Sequence, residues 1–239
     1  MRTPLPFGDS MPKKKKIVNS LPNADDYDTR VLISLPTSGN IRAEVVGWVM
    51  DSIRNGPPNG VHIGLQLMIS TFPIDYIRNS QVTNFLGTKC THLFLLDSDC
   101  EPPKDCILKL LEHDKDIVTS IAPGIVGGKI AYTSCLLEGK AIGHKFKMVG
   151  PGSSELPSGL TEVDACGATG ILIKRHVLES MQYPWFKVLY KNDGSGIDCG
   201  EDFFFNLKAK EYGFTTYADF DLVQNHYKTV ELNGIKNLL

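Results

Sequence analysis

No apolar run in this sequence approaches the roughly 18 residues that a membrane-spanning helix needs. None follows Met1 either, where Pro4, Pro6, Pro12 and the Lys13-Lys14-Lys15-Lys16 run break up the start. Neither a membrane span nor a secretory leader is therefore expected. The six cysteines (90, 100, 106, 135, 166 and 199) include no Cys-x-x-Cys pair. Scattered among mostly apolar neighbours, they read as reduced thiols rather than a disulfide framework. Charge of one sign is also missing. Lys and Arg number 25 against 27 Asp and Glu, a net charge of −2, so no global basic field argues for nucleic-acid binding. Internal repeats are absent. So are Gly-x-Gly-x-x-Gly and the Lys-containing phosphate loop, which excludes a dinucleotide site or a P-loop by motif. The expectation is a soluble, cytoplasmic protein.

What is present reads as α/β. With 239 residues, 42% hydrophobic and 22% charged, the chain is long enough to build one large domain around a substantial core. Residues 1–29, rich in Pro, Lys, Asn and Asp, read as a flexible arm whose lysine run is available to contact phosphates or a membrane surface. Residues 30–239 read as a single domain. A short strand at 31–35 stops at Pro36. A polar turn at 37–40 follows, and a helix at 43–54 has Val46, Trp48, Val49 and Ile53 at core spacing. A strand at 61–68, a helix at 75–88, a strand ending at Leu96, a helix after Pro102-Pro103 and a strand at 116–121 continue a β-α-β-α-β-α-β order. That order predicts a largely parallel, right-handed wound sheet. Between Pro123 and Pro157 glycine is frequent and short β-like pieces replace helical periodicity, predicting a small antiparallel excursion or long loops beside a site. A Gly-rich bend then leads into a strand ending near Arg175. A helix opening at Gly200-Glu201-Asp202 follows, with Phe203, Phe204, Leu207 and Ala209 inward, and short strands at 215–218 and 222–224 run into His226.

The stretch His92-Leu93-Phe94-Leu95-Leu96-Asp97-Ser98-Asp99 ends in two carboxylates one residue apart. Its apolar part reads as a strand buried on both faces. Extended backbone projects residues i and i+2 to the same side. Asp97 and Asp99 are thus expected to converge at the carboxyl end of a central strand, where open α/β sheets place their ligands. Two carboxylates held that close repel unless a cation offsets them, and a divalent metal carrying a phosphorylated ligand does so. A polar turn in which Asp97 caps the next helix is the structural alternative. Arg78, early on its helix, is either a surface residue, a phosphate clamp or a partner for Asp97. Glu201 and Asp202 suit the positive end of a helix, His226 suits a satisfied strand edge, and Gly167 and Gly170 suit a simple turn. Their order and spacing on one α/β scaffold carry the functional reading.

Those residues resemble the GT-A glycosyltransferases, the inverting family-2-like enzymes in particular. The resemblance covers residues 30–228. It rests on Ile33-Ser34-Leu35-Pro36-Thr37, Ile77-Arg78-Asn79, the Asp-x-Asp motif Asp97-Ser98-Asp99, Gly167-Ala168-Thr169-Gly170, Gly200-Glu201-Asp202 and His226. It implies a Rossmann-like, mostly parallel sheet flanked by helices, with a small antiparallel element on the acceptor side. It implies Mn2+ or Mg2+ held by Asp99 and His226, with Asp97 as a third ligand or a ribose partner. An imidazole in the ligand set favours Mn2+. Leu35, Pro36 and Thr37 would frame the base, and Arg78, Asn79 and Ser98 would contact the donor, a UDP-sugar. Asp202 would be the general base and Glu201 its companion. Gly167, Thr169, Gly170, Trp185 and Phe186 would face the donor sugar or acceptor. The chain departs from family 2 in lacking a Lys-Ala-Gly-x-Leu-Asn-like element, and it lacks the membrane helices of processive synthases, which implies transfer of single sugars.

Competing chemistries fail on particular residues. A haloacid-dehalogenase-type phosphatase needs Thr where this chain has Glu101, and a sugar-nucleotidyl transferase opens with a basic Gly-rich loop that Pro36-Thr37-Ser38-Gly39-Asn40 does not supply. Pro102-Pro103 exclude a calcium loop. A retaining transferase and a catalytically silent sugar-nucleotide or glycan-binding module remain as alternatives. The acceptor stays open among glycan, protein, lipid-linked sugar and modified nucleic-acid base.

Overall fold

The computed structural model describes residues 27–54, 60–126, 129–137 and 146–229. Most of the expected arm, with its lysine run, lies outside the described residues. In chain order the elements are β1 (Thr29–Thr37), α1 (Ala43–Arg54), β2 (Val61–Ile69), α2 (Ile74–Leu86), β3 (His92–Leu95), β4 (Cys100–Glu101) and α3 (Cys106–Glu112). Then come β5 (Ile117–Ile121), β6 (Pro123–Val126), β7 (Lys129–Tyr132), β8 (Cys135–Leu137), β9 (Phe146–Met148), β10 (Leu160–Val163), β11 (Ile171–Lys174) and α4 (Arg175–Ser180). The chain closes with β12 (Leu189–Tyr190), β13 (Ile197–Cys199), α5 (Glu201–Glu211), β14 (Thr216–Val223) and β15 (Asn225–His226).

Seven strands form one sheet in the order β10-β14-β5-β11-β3-β1-β2. β1 runs parallel to β2 and β3, and β14 runs parallel to β5. β11 is wedged antiparallel between β3 and β5, and β10 is antiparallel on the outer edge. The expected wound order holds through β5, but that reading did not foresee a reversed strand at the centre. Hairpins β6–β7 and β8–β9 supply the antiparallel excursion beyond β5.

Strand alternation divides the core into two layers. Leu93 and Leu95 face one layer with Val82 and Phe85 of α2, Val177 of α4 and Phe205 of α5. Phe94 and Leu96 face the other with Val45, Trp48 and Val49 of α1 and Ile107 and Leu110 of α3. Helices therefore cover both faces, as a buried parallel sheet requires. Two helices sit rotated from their expected faces. In α1, Val45 is buried while Val46 and Ile53 are exposed. Trp48 sets that rotation, because its Nε1–H donates to Pro103 O at 3.0 Å and its ring stacks on Phe94. In α5, Phe205, Asn206 and Ala209 are buried rather than Phe203, Phe204 and Leu207, because Phe205 stacks on Phe186 with centroids 4.8 Å apart. The two short strands expected after Gly213 are one strand, β14, with a register irregularity between Asp219 and Val223. Among the described residues no helix is long and apolar enough to cross a membrane.

Candidate active site

The site is built at the carboxyl ends of β3 and β1. β3 stops at Leu95, and Leu96 N–H still reaches Ser34 O of β1 at 3.2 Å. The chain then turns: Cys100 N–H donates to Asp97 O at 3.3 Å, and Ser98 O accepts Arg42 N–H at 3.0 Å. Because Asp97 and Asp99 sit in a turn and not in extended backbone, their side chains find separate partners.

Asp97 is held by Arg78, Nη2 to Oδ1 at 2.6 Å. Its backbone N–H donates to Thr169 Oγ1 at 3.1 Å. Arg78 projects from α2, is only 3% exposed, and also donates to Gln81 Oε1 at 3.2 Å. Burial pulls the guanidinium pKa down, but Asp97, Glu201 and Asp202 together outweigh it and raise the pKa. Arg78 thus occupies Asp97 Oδ1, and the group of possible metal ligands among the described residues, Asp99, Cys100 and His226, does not include Asp97.

Asp99 faces the last strand. β15 pairs antiparallel with β4, placing His226 opposite Cys100 and Asn225 opposite Glu101. Tyr227 N–H donates to Asp99 O at 2.8 Å, locking that register. His226 Nε2 then lies 3.4 Å from Asp99 Oδ2. On the far side of the ring Nδ1–H donates to Pro123 O at 2.6 Å, since a carbonyl can only accept. Such a bond leaves Nε2 as the nitrogen facing Asp99, the arrangement that orients metal-binding histidines. Lys228 Nζ also contacts Asp99 Oδ2, at 2.7 Å. His226 first, and then Lys228, hold the Asp99 carboxyl well below the usual carboxylate range. Cys100 stands within 4.8 Å of both possible ligands, and burial pushes its thiol up to about 12; a hard ion such as Mn2+ favours oxygen and imidazole donors over it. A carboxylate oxygen and an imidazole nitrogen remain, a donor set that fits Mn2+ with phosphate and water oxygens completing the shell.

The acid pair comes from the start of α5. Asp202 is half-buried, and desolvation followed by repulsion from Glu201 pushes its carboxyl up from 3.8 to about 7. Its Oδ1 accepts Phe203 N–H at 2.8 Å. Glu201 is raised too, mainly by burial, with Arg78 opposing. Gly167 leaves room here: a Cβ on it would lie 3.0 Å from Thr133 Oγ1 and 3.8 Å from Asp202 Oδ2.

These groups line one cleft of about 600 Å³, which collects Pro36, Thr37, Arg78, Asp97, Ser98, Asp99, Gly167, Thr169, Glu201, Asp202 and His226. Five expected site residues lie outside that lining. Leu35 is a core residue of β1. Asn79 braces the chain after α4, giving Nδ2–H to Phe186 O at 2.7 Å and accepting Trp185 N–H at 2.9 Å. Trp185 bonds Leu178 O through Nε1–H at 2.9 Å, and Phe186 is 1% exposed. Neither aromatic has a free face for a sugar. Gly170, at φ +71°, packs beneath Gln224 and Ser120. Conversely, Phe72, Thr133 and Lys228 line the cleft without having been singled out. Lys228 carried one signal, its place two residues beyond His226.

No protein-family model and no curated protein sequence matches the chain. Solved structures do. A197 from STIV superposes with a TM-score of 0.55 at 20% identity, over 84% of this chain and 87% of that one. TarS 1–349 from S. aureus, in complex with UDP-GlcNAc, has a TM-score of 0.48 at 13% identity over 85% of this chain and 59% of that one. The inositol-1-phosphate CTP transferase from T. maritima has a TM-score of 0.44 at 11% identity over 88% and 95%. With its sheet order, flanking helices and short antiparallel sheets, the fold is a GT-A-like α/β arrangement.

Proposed function

We propose that the chain is a metal-dependent glycosyltransferase that moves one sugar from a nucleotide sugar, a UDP-sugar by the family resemblance, to an acceptor hydroxyl with inversion. The observation that carries this reading is one cleft that collects two chemistries. Asp99 and His226 converge on it, and a half-buried carboxyl raised toward neutrality, Asp202, lines it too.

Asp99 Oδ2 and His226 Nε2 would hold Mn2+, which supplies Lewis-acid neutralisation of the leaving diphosphate. Arg78 fixes Asp97 so that its remaining oxygen is available to a ribose hydroxyl, while Pro36 and Thr37 border the base. Asp202 takes the acceptor hydroxyl proton as that oxygen attacks the anomeric carbon. A base whose pKa lies near the working pH is efficient in that role, contributing about 10²–10⁴-fold. Glu201 beside it keeps the Asp202 proton affinity high and is placed to orient the acceptor.

The test is nucleotide release from a UDP-sugar with an acceptor panel, in Mn2+ or EDTA, alongside Asp202→Asn and Asp99→Ala. Transfer should vanish in EDTA and in Asp99→Ala, whereas Asp202→Asn should lose turnover yet keep UDP affinity. Equal loss of UDP affinity in Asp202→Asn would reject the base assignment, and full turnover in EDTA would reject the metal. The anomeric configuration of the product, read by NMR, checks inversion.

A further inference from the structure

Asp99 Oδ2 has two neighbours, His226 and Lys228, and would have to serve a metal as well. His226 Nε2 stands 3.4 Å from it, and Lys228 Nζ contacts it at 2.7 Å. A divalent ion held by this oxygen and the imidazole would bond the carboxylate directly. With Lys228 Nζ 2.7 Å from the same oxygen, the ion and the ammonium would be close neighbours, and two positive charges so placed repel. The root of Lys228 cannot withdraw, because the β15–β4 pairing and the Tyr227 N–H to Asp99 O bond hold the backbone. Tyr227 Oη also donates to Glu101 Oε2 at 2.5 Å. The side chain is free to swing, being 52% exposed. It lines the main cleft and also a neighbouring cavity of about 410 Å³ shared with Arg42, Ser98 and Asp99.

We propose that Lys228 is a tethered cation which occupies Asp99 in the free protein and moves onto the diphosphate when metal and nucleotide bind together. The inference rests on the metal-site reading above. In the free protein, a metal must evict Lys228 with no new partner to offer it. When a nucleoside diphosphate enters, its phosphate oxygens accept the three N–H donors of the displaced ammonium. Eviction is then offset, and nucleotide and metal bind with positive coupling. Coupling of this kind is reciprocal and typically worth about 5–150-fold in affinity. Lys228 is a positioning residue here: it acts on the metal through Asp99 and on the leaving group by charge.

The experiment needs no turnover. Free Mn2+ is followed by its EPR signal as it is titrated into the full chain, with and without UDP, for wild type, Lys228→Met, Lys228→Arg and Asp99→Ala. In wild type, UDP should tighten Mn2+ binding at least 10-fold. Lys228→Met should bind Mn2+ about 5-fold or more tightly than wild type without UDP, and the tightening that UDP then adds should be smaller than in wild type by about the same factor. Lys228→Arg should retain the wild-type coupling. Mn2+ affinity in Lys228→Met that is unchanged or weaker, or coupling that persists undiminished, overturns the proposal. No sequestration of Mn2+ by wild type even with UDP would remove the metal site itself. Binding that survives Asp99→Ala would instead move the metal elsewhere.

Discussion

At the residue scale, the site works by placing opposite charges at unequal depths. Asp202 is half-buried and carries its proton until about pH 7, so the proposed base is active only in the ionised form. Transfer rate should rise with pH through about 7 and level off above it, and Asp202→Asn should abolish that limb of the profile. The stability consequence has the opposite direction. A carboxyl raised from 3.8 to about 7 binds more protons folded than unfolded, so its contribution is greatest in acid and is lost as pH rises through that window. Asp202→Asn should therefore raise stability at pH 8, on the order of 2 kcal/mol, in urea melts. Arg78 is the counterweight. Replacing it with Met leaves the Asp97 carboxylate without its 2.6 Å partner and strips a cation from beside Glu201 and Asp202. Roughly 3–5 kcal/mol of stability should go, as when one partner of a buried ion pair is removed. In protein that still folds, the pH–rate midpoint should shift upward; a midpoint that stays put would separate Arg78 from the acid pair.

At the element scale, one reversed strand organises the centre. β11 enters through Gly170, whose N–H donates to Leu95 O at 2.7 Å and whose O accepts Ser120 N–H at 3.0 Å. The bend therefore joins β3 to β5 at the base of the cleft. A Cβ there would lie 2.2 Å from Gln224 Nε2 and 2.3 Å from Ser120 Oγ, at a φ of +71° that side chains seldom adopt. Gln224 cannot retreat without giving up its bonds to Ser120 Oγ at 3.0 Å and Thr169 O at 3.1 Å. Gly170→Ala should destabilise by about 2–4 kcal/mol in thermal or urea unfolding. Because Gln224 immediately precedes β15, the same change should weaken Mn2+ binding at His226 by more than the lost stability alone explains. A variant that unfolds early but binds Mn2+ normally would show that Gly170 serves the core alone.

At the scale of the whole molecule, the site exists only when the two halves of the chain are folded together. Asp97 and Asp99 come from the first three strands, His226 from the last, and Asp202 from a helix that packs on the opposite layer from α1. Ligands that bridge these parts should stabilise the entire fold. Mn2+ with UDP, each at about 100 times its dissociation constant in the other's presence, should raise the melting temperature by roughly 10–20 °C. Either alone should do much less, and additive small shifts would argue against a shared site.

How much of this was legible follows from range. The apolar run of β3, the helix at 43–54, the turn glycines and the order of strands were readable, because local alternation and capping act over a few residues. Asp99, Asp202 and His226 could be picked out by residue type and spacing. Their geometry could not. The sequence placed Asp97 beside Asp99 on one face, whereas the 97–100 turn, closed by Cys100 N–H on Asp97 O, sends one to Arg78 and the other to His226. Trp185 and Phe186 suited a sugar platform and a core pair equally, and Asn79 and Phe205 enclose them in the core. Lys228 acquired meaning only when β15 returned to β4. Residue chemistry and local periodicity are written in the chain itself. Which charges meet, and which oxygen they share, depends on strand pairings across more than a hundred residues, and only the tertiary structure decides those.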